Sequence, residues 1–398
     1  MHVLHVAPYF PPTWAYGGIP RVVDGLARAQ LTLGMQVSVL TTDALDGAAR
    51  NGLPLRREHL GVQVLTAPNL SNRLAYRHQL FLPRPDALRR AAATLAAPGR
   101  PDIVHLHGHR HLLNNAALGW AKRWGAPIVL TANGTLHAHE RKVGLKRLWD
   151  LLIADRVPRS ADAFVAVSAA DLAQHLRQGL PADRVHRIPN GLDLAEFAPL
   201  PERGRARAAL GLGAGPLVVY LGQISPRKGV EHLVSAFVGG ALSPATLVVA
   251  GNDMGGLSAA RAAAAGSPAV RFVGLLEAQH RLELLADADV LVYPTQAEVF
   301  GLVPFEGLLC GAPVVVSDDC GCGELIREAG AGLLVRYGDV PGLQQRIRTL
   351  LEDRVAAAAM VARGRRYVDA HLRFSVVAQA HAALYARLLG APRTRGEL

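Results

Sequence analysis

Short apolar runs rich in Val, Ile and Leu recur along the chain, separated by stretches whose apolar residues fall at helical spacing. Val3–Ala7 reads as a strand, Ile19–Leu33 as a helix stopped by Gly34, and Gln36–Thr41 as the next strand. Ile103–Leu106, Ile128–Thr131, Ala163–Ser168 and Val185–Ile188 continue the series. After a stretch containing Pro and Arg, Pro199–Arg207, the pattern restarts with Leu217–Leu221, Thr246–Ala250, Val270–Val273, Val290–Tyr293 and Val314–Val316. Strands that are apolar throughout, rather than alternating, are what a parallel sheet covered on both faces requires. The pattern therefore predicts an α/β protein of two doubly wound domains, residues 1–197 and 198–372, facing one another across a cleft at the carboxyl ends of their strands. A last helical pattern, Arg373–Leu389, places Val376, Val377, Ala380, Leu384 and Leu388 on a face that must be buried. The tail Arg393–Leu398 is expected to fray.

Composition narrows the function classes. The chain has 398 residues, 50% of them hydrophobic and 19% charged, which is material for large cores and not for disorder. The formal net charge is +11, and it is unevenly placed. Residues 1–197 carry 23 basic and 14 acidic side chains, a balance of +9, against +2 for residues 198–398. An anionic partner is thus expected at the N-terminal half. Aromatic residues are 5% of the chain and no arginine-rich run is interleaved with them, which argues against nucleic acid. Three cysteines, Cys310, Cys320 and Cys322, make no disulfide scaffold and point to a reducing, cytoplasmic compartment. The opening MHVLHVAPYFPP lacks the features of a signal peptide, and no apolar run is long enough to span a bilayer.

Candidate chemistry lies at the strand ends. Glu298-Val-Phe-Gly-Leu-Val-Pro-Phe-Glu306 follows the strand Val290–Tyr293, and Pro304 and Gly311 mark a helix from about Gly301 to Cys310. Backbone N–H groups near Phe300, Gly301, Leu302 and Val303 would form an anion site without any side chain. Glu298 and Glu306 could flank a bound phosphate, each able to accept from sugar hydroxyls; as an isolated pair they would be ordinary helix charges. Upstream, LGQISPRKGVEHLVSAF ends a strand at Gly222 and carries Arg227 and Lys228 into a helix start. Cations there oppose the helix dipole, so they cost stability unless something anionic binds beside them. Gly17 and Gly18, between the first strand and first helix, allow close approach of backbone to a ligand.

In these residues the chain resembles a known family. PPTWAYGGIPRVVDGLARAQLTLGMQVSVLTT, IPNGLDLAEFAP, LGQISPRKGVEHLVSAF and EVFGLVPFEGLLCGAPVVVSDDCGCGEL are similar to the retaining glycosyltransferases of family 4 (group 1), which have the GT-B fold. The resemblance implies two Rossmann-like domains and a C-terminal segment, 373–398, whose helix crosses back onto the N-terminal domain. It implies an acceptor-binding first domain and a second domain that binds a nucleoside-diphosphate sugar. Gly17, Gly18 and Gly222 would lie against the donor, and Arg227 and Lys228 would neutralise its diphosphate. Glu298 would hold hydroxyls of the transferred sugar. Backbone at Phe300–Leu302 would bind phosphate, Glu306 the ribose, and Phe272 and Val273 the nucleobase. The acceptor would be a glycan, a lipid-linked sugar or another small molecule of cell-envelope polysaccharide or glycoconjugate synthesis, with no metal or other cofactor needed. A sugar-nucleotide epimerase or phosphorylase, or a non-catalytic sugar-nucleotide binder, remains the alternative.

One departure bears on mechanism. Many relatives carry Thr-Pro-His-Gly where this chain has Thr131-Ala132-Asn133-Gly134. Asn133 can orient a sugar by hydrogen bonding but cannot titrate near neutrality. His107, His109 and His137 are candidates for acceptor contact. The alternate histidines at 105, 107, 109 and 111 suggest zinc only weakly, since no carboxylate or cysteine is near in sequence. Asp287-Ala288-Asp289 imitates a metal motif but precedes its strand, which places it in a turn. Cys320 and Cys322 are too close for a zinc knuckle. Arg141, Lys142, Lys146 and Arg147, beside Leu145, Leu148, Trp149 and Leu152, form either a basic face for an acidic membrane or an ordinary solvated helix.

Overall fold

The computed structural model describes residues 1–13, 17–46, 49–97, 99–135, 156–240 and 242–391. His137 and the basic stretch 141–152 lie outside them, as does the tail from 393. The chain divides into two compact units. One comprises residues 1–167, 171–191 and the segment from Phe374 onward; the other comprises 168–170 and 192–373.

The N-terminal unit is built on an eight-stranded sheet: β1 His2–Val6, β2 Gln36–Thr41, β3 Arg56–His59, β4 Val62–Thr66, β5 Ile103–His107, β6 Ile128–Thr131, β7 Ala163–Ala166 and β8 Val185–Arg187. Their order is β3-β4-β2-β1-β5-β6-β7-β8, and every pair is parallel except β3 with β4. The second sheet comprises β9 Leu217–Leu221, β10 Thr246–Ala250, β11 Val270–Gly274, β12 Val290–Tyr293, β13 Val314–Ser317 and β14 Gly332–Val335. It is parallel throughout, in the order β11-β10-β9-β12-β13-β14. Both sheets therefore start in the middle, wind outwards on one side, then return and wind outwards on the other. The strand order reverses between β1 and β5 in one unit and between β9 and β12 in the other. At such a reversal the loops leaving the two central strands diverge, opening a crevice at the strands' carboxyl ends.

The apolar runs behave as their composition dictates: every residue of β1, β5, β9 and β12 is buried. The C-terminal helix Phe374–Gly390 belongs to the N-terminal unit, where Val377, Ala378, Leu384 and Tyr385 join Val3, Leu26, Ile103 and Val165 in one core cluster. Its buried stripe is rotated from the expected one. His381 and Tyr385 complete the stripe, whereas Ala380 is exposed and Val376 only half-buried. A purely apolar template misses those two, whose burial goes with polar bonds in the core: His381 Nδ1 to Val377 O, and the Tyr385 hydroxyl with Gln30 and His105. Gly25 on the helix Ile19–Thr32 and Gly191 both lie against the Phe374 ring, where a Cβ would collide with it. Leu384 is 1% exposed, so Leu384→Ala should destabilise the N-terminal unit by about 2–5 kcal/mol. Urea denaturation followed by tryptophan fluorescence measures this, and a change below about 1 kcal/mol would show that the helix is not part of that core.

Candidate active site

In the C-terminal unit the site assembles where the strand order reverses. After β9, Gly222 takes φ 148°, and the chain runs to a single helical turn at Pro226–Lys228. Gly229 follows with φ 60°, and a Cβ there would collide with the Pro294 carbonyl oxygen. Only glycine lets this turn settle onto the loop after β12. The loop is tied down in return, because Gln296 N donates to Arg227 O at 2.8 Å and Thr295 Oγ1 to the same oxygen at 3.3 Å. Lys228 and Glu298 consequently meet: the Lys228 Nζ donates to Glu298 Oε2 and, at 2.7 Å, to the Tyr293 hydroxyl. Their side chains are 14% and 24% exposed. Tyr293 also donates to Glu298 Oε2 at 3.3 Å. Burial pushes the Glu298 carboxyl up, but the charge and hydrogen bond of Lys228, with help from Arg227 and Tyr293, hold it below the usual carboxylate range. Burial likewise pushes the Tyr293 phenol well up, so it remains a donor. Arg227 is exposed.

The helix expected from Gly301 runs from Val303 to Cys310. Gly301 takes φ 77°, with Cys322 Sγ and Tyr293 both 3.1 Å from where a Cβ would lie, and Leu302 caps the helix. The N–H groups of the helix's first turn, from Leu302 on, are those that helix geometry leaves without intrahelical acceptors. Phe300 is 2% exposed and packs on Phe305, so only its backbone can serve a ligand. Gly321 N donates to Glu298 O at 2.7 Å, and a Cβ at Gly321 would strike the Val299 carbonyl oxygen. The unusual Cys320-Gly321-Cys322 thus keeps the one glycine that seats the Glu298 loop. Cys320 caps the helix Gly321–Ala329 through a sulfur that accepts from Gly323 N.

Glu306 falls in the first turn of its helix and is 4% exposed. Its Oε2 accepts from Arg281 Nη1 at 2.5 Å. Arg281 lies on the helix Ala278–Asp287, outside every motif in the sequence, and sequence reasoning did not find it. Tyr293 was missed for a similar reason: a strand tyrosine reads as core until its hydroxyl is seen to have partners. Phe272 and Val273 are half-buried on the edge strand β11, with the Arg261 guanidinium 5.7 Å from the Phe272 ring centre. Asp287 and Asp289 anchor the chain around residues 203–217, as a turn reading requires. Asp287 accepts from Gly204 N and Arg207 N, and Asp289 from Leu217 N and Arg207 Nη2.

In the N-terminal unit, Gly17 takes φ 99° and Gly18 caps the helix Ile19–Thr32. Asn133 adopts φ 49°, a left-handed turn that asparagine tolerates better than most residues, with Nδ2 3.4 Å from Thr131 O. His107 and His109 are 1% and 3% exposed, so neither ring as placed offers surface to an acceptor. His107 belongs to a buried network with His5, His105, Gln30, Tyr385 and Thr131. One set of neutral tautomers makes every bond between them, with His107 Nδ1 left without a partner among the described residues. His107 Nε2 donates to His5 Nδ1 (2.9 Å), and His5 Nε2 to Gln30 Oε1 (2.7 Å). Gln30 donates to the Tyr385 oxygen (3.3 Å), Tyr385 to His105 Nδ1 (2.7 Å), and His105 Nε2 to Thr131 Oγ1 (2.7 Å). Nitrogens of His5, His105 and His107 lie within 4.8 Å of one another, a spacing a metal ion could use, but only by displacing these bonds. Asn190 lies with His107, Thr131 and His381 around a cavity of about 10 Å³, the size of one water.

Two Rossmann-like units of this kind make the GT-B fold, and the sequence matches set the chain among the glycosyltransferases that have it. The chain belongs to the group 1, family 4 glycosyltransferases. The family described as "Glycosyl transferases group 1" matches residues 203–367, and "Glycosyltransferase Family 4" matches residues 16–196. Glycogen synthase of Mycobacterium tuberculosis is 28% identical over 412 residues, covering 97% of this chain and 94% of that protein. D-inositol 3-phosphate glycosyltransferase of Nocardia farcinica is 32% identical over 300 residues, covering 68% of this chain and 62% of that one. Among solved structures, sucrose-phosphate synthase from Thermosynechococcus elongatus shares the fold with TM-score 0.77 at 24% identity, covering 98% of this chain and 100% of that one. Among the described residues, no helix is long and apolar enough to cross a membrane.

Burial drives the pKa of His5, His111 and His381 down to about 4, and those of His105 and His107 well below their ordinary value. Above pH of about 6.5 these rings are neutral in folded and unfolded chains alike. Below it the unfolded chain takes up protons that the folded one refuses. Stability should therefore fall between pH of about 6.5 and about 4, by about 1 kcal/mol per pH unit for each ring. Denaturant midpoints compared at pH 7.5 and pH 5 check this; equal midpoints would mean the rings are protonated in the fold.

Proposed function

We propose that the protein transfers a sugar from a nucleoside-diphosphate sugar to a glycan, lipid-linked or other small acceptor, with retention of configuration. In this reading its setting is cell-envelope polysaccharide or glycoconjugate synthesis. The single observation that carries it is the half-buried Lys228–Glu298 contact beside the start of the helix Val303–Cys310. A diphosphate needs cations and N–H donors, a sugar needs a fixed acceptor for its hydroxyls, and the site holds both on adjacent loops. Relatives named for GDP-mannose dependence, and fold neighbours bound to UDP and ADP, support a nucleotide-sugar donor.

In this reading Lys228 and Arg227 meet the charge that develops on the leaving diphosphate, and the helix N–H groups meet the rest. The bond from the sugar's anomeric carbon to the phosphate oxygen breaks while the acceptor oxygen bonds to the same face of that carbon. The acceptor's proton passes to the departing phosphate oxygen, so no titrating side chain is needed and Asn133 can serve by orienting the sugar. The two cations occupy the role a divalent metal has elsewhere, which makes the reaction metal-independent. An epimerase or phosphorylase would differ in one respect: nucleoside diphosphate would not appear only when an acceptor is supplied. A non-catalytic binder would take up donor without turning it over.

Lys228→Ala should lose most turnover and weaken nucleoside-diphosphate binding, because it removes the diphosphate's counter-ion and leaves Glu298 without its main partner. Glu298→Ala should reduce turnover far more than it reduces affinity for the bare nucleoside diphosphate. Calorimetric titration beside a turnover assay separates the two, and unchanged nucleotide affinity in Lys228→Ala would sink the assignment.

The +9 balance of residues 1–197 adds that the acceptor is anionic or is met at an acidic membrane surface. The protein should float with anionic vesicles at low salt and be released as salt rises. Absence of any salt-sensitive flotation would remove the membrane from the proposal.

A further inference from the structure

Arg281 is a buried cation that the proposed chemistry does not use. Its side chain is 10% exposed, and it comes from the helix that leads into β12. Nη1 binds Glu306 Oε2 at 2.5 Å, and Nη2 reaches Glu196 Oε2 at 3.4 Å. Glu306 is 6% exposed at its side chain, whereas Glu196, on the short turn Leu194–Phe197, is 39% exposed. Nε–H has no acceptor among the described residues. A buried guanidinium with a donor left over is a poor device for stability alone, since an apolar side chain of similar volume would serve that purpose as well.

What the arrangement does supply is a fixed carboxylate. A glutamate in the first turn of a helix has three rotatable side-chain bonds and several rotamers. The planar guanidinium holds one of its oxygens in a set direction, and Glu196 braces the guanidinium from its other terminal nitrogen. A vicinal diol is recognised by an acceptor whose plane does not wander, because two hydroxyls must be met at once. We propose that Arg281 is a positioning residue for ribose recognition, locking Glu306 in the orientation that accepts the hydroxyls of the donor's ribose. This rests on the reading in which Glu306 faces the nucleotide's ribose.

The test measures affinity for UDP, GDP or ADP, whichever binds tightest, and for its 2′,3′-dideoxy analogue. Wild-type protein should favour the ribonucleotide. Arg281→Met keeps the apolar stem and should weaken ribonucleotide binding about tenfold while changing the dideoxy analogue no more than about twofold. Arg281→Lys, which grips with a point charge, should give an intermediate ratio. Should Arg281→Met fail to fold, the lysine variant carries the test, with a ratio about threefold below wild type expected. A ribose-to-dideoxyribose ratio unchanged in the variant that folds overturns the inference while leaving the nucleotide site intact. A wild-type protein that binds nucleotide but ignores the missing hydroxyls overturns the ribose role of Glu306, and with it this inference. No nucleotide binding at all would defeat the proposed function itself.

Discussion

A lysine and a glutamate pressed together in a half-buried gap are the constraint from which the C-terminal unit is best understood. Neither charge would be stable there alone, since each gives up much of its water. The pairing demands that a loop after β9 and a loop after β12 come side by side, and the strand order β10-β9-β12-β13 makes them neighbours. The glycines follow from the same demand. Gly229 lets the lysine turn settle on Pro294, Gly301 turns the chain into its helix beside Tyr293, and Gly321 accepts the Glu298 loop without a side chain in the way. Sheet topology, backbone freedom and charge all act on one small volume.

The N-terminal unit solves a different problem. Its first and fifth strands carry His5, His105 and His107 into a core with no exposure above 1% at any of them. Such rings are tolerated because a chain of donors and acceptors runs through Gln30, Tyr385 and Thr131 without a missing link between them. Alternate histidines in a sequence invite a metal. Here they face the same side of a sheet and read as a polar seam laid through an apolar layer, in which each member sets the tautomer of the next.

Much of this could be read before any coordinates. Buried parallel strands announce themselves, and Gln36–Thr41, Ile128–Thr131, Leu217–Leu221, Thr246–Ala250 and Val290–Tyr293 have the limits their apolar runs suggest. The strand Arg56–His59 gives no such signal, because it is a polar, antiparallel edge strand. Val62–Thr66 is interrupted by the half-buried Gln63, and Gly332–Val335 is an edge strand that opens on a glycine and is only half-buried over its first three residues, so neither gives the continuous apolar run of a central strand. Glu298, Lys228 and Glu306 were visible because each belongs to a motif. Arg281 and Tyr293 were not, because their roles arise only when helices, turns and loops apart in sequence pack together. The helix expected at Gly301 begins two residues later for a local reason, the left-handed glycine that bends the chain into it.

The last helix has a consequence for biosynthesis. Val377, Leu384 and Tyr385 complete a core whose other members, Val3, Leu26 and Ile103, leave the ribosome more than 270 residues earlier. The first-made half must hold an open apolar face while nearly the whole polypeptide is translated, and a message truncated before residue 374 yields a half that never closes. Quality control of this enzyme is thereby tied to the stretch from Phe374 onward, and products lacking it are marked for chaperones or proteases by the surface they leave uncovered.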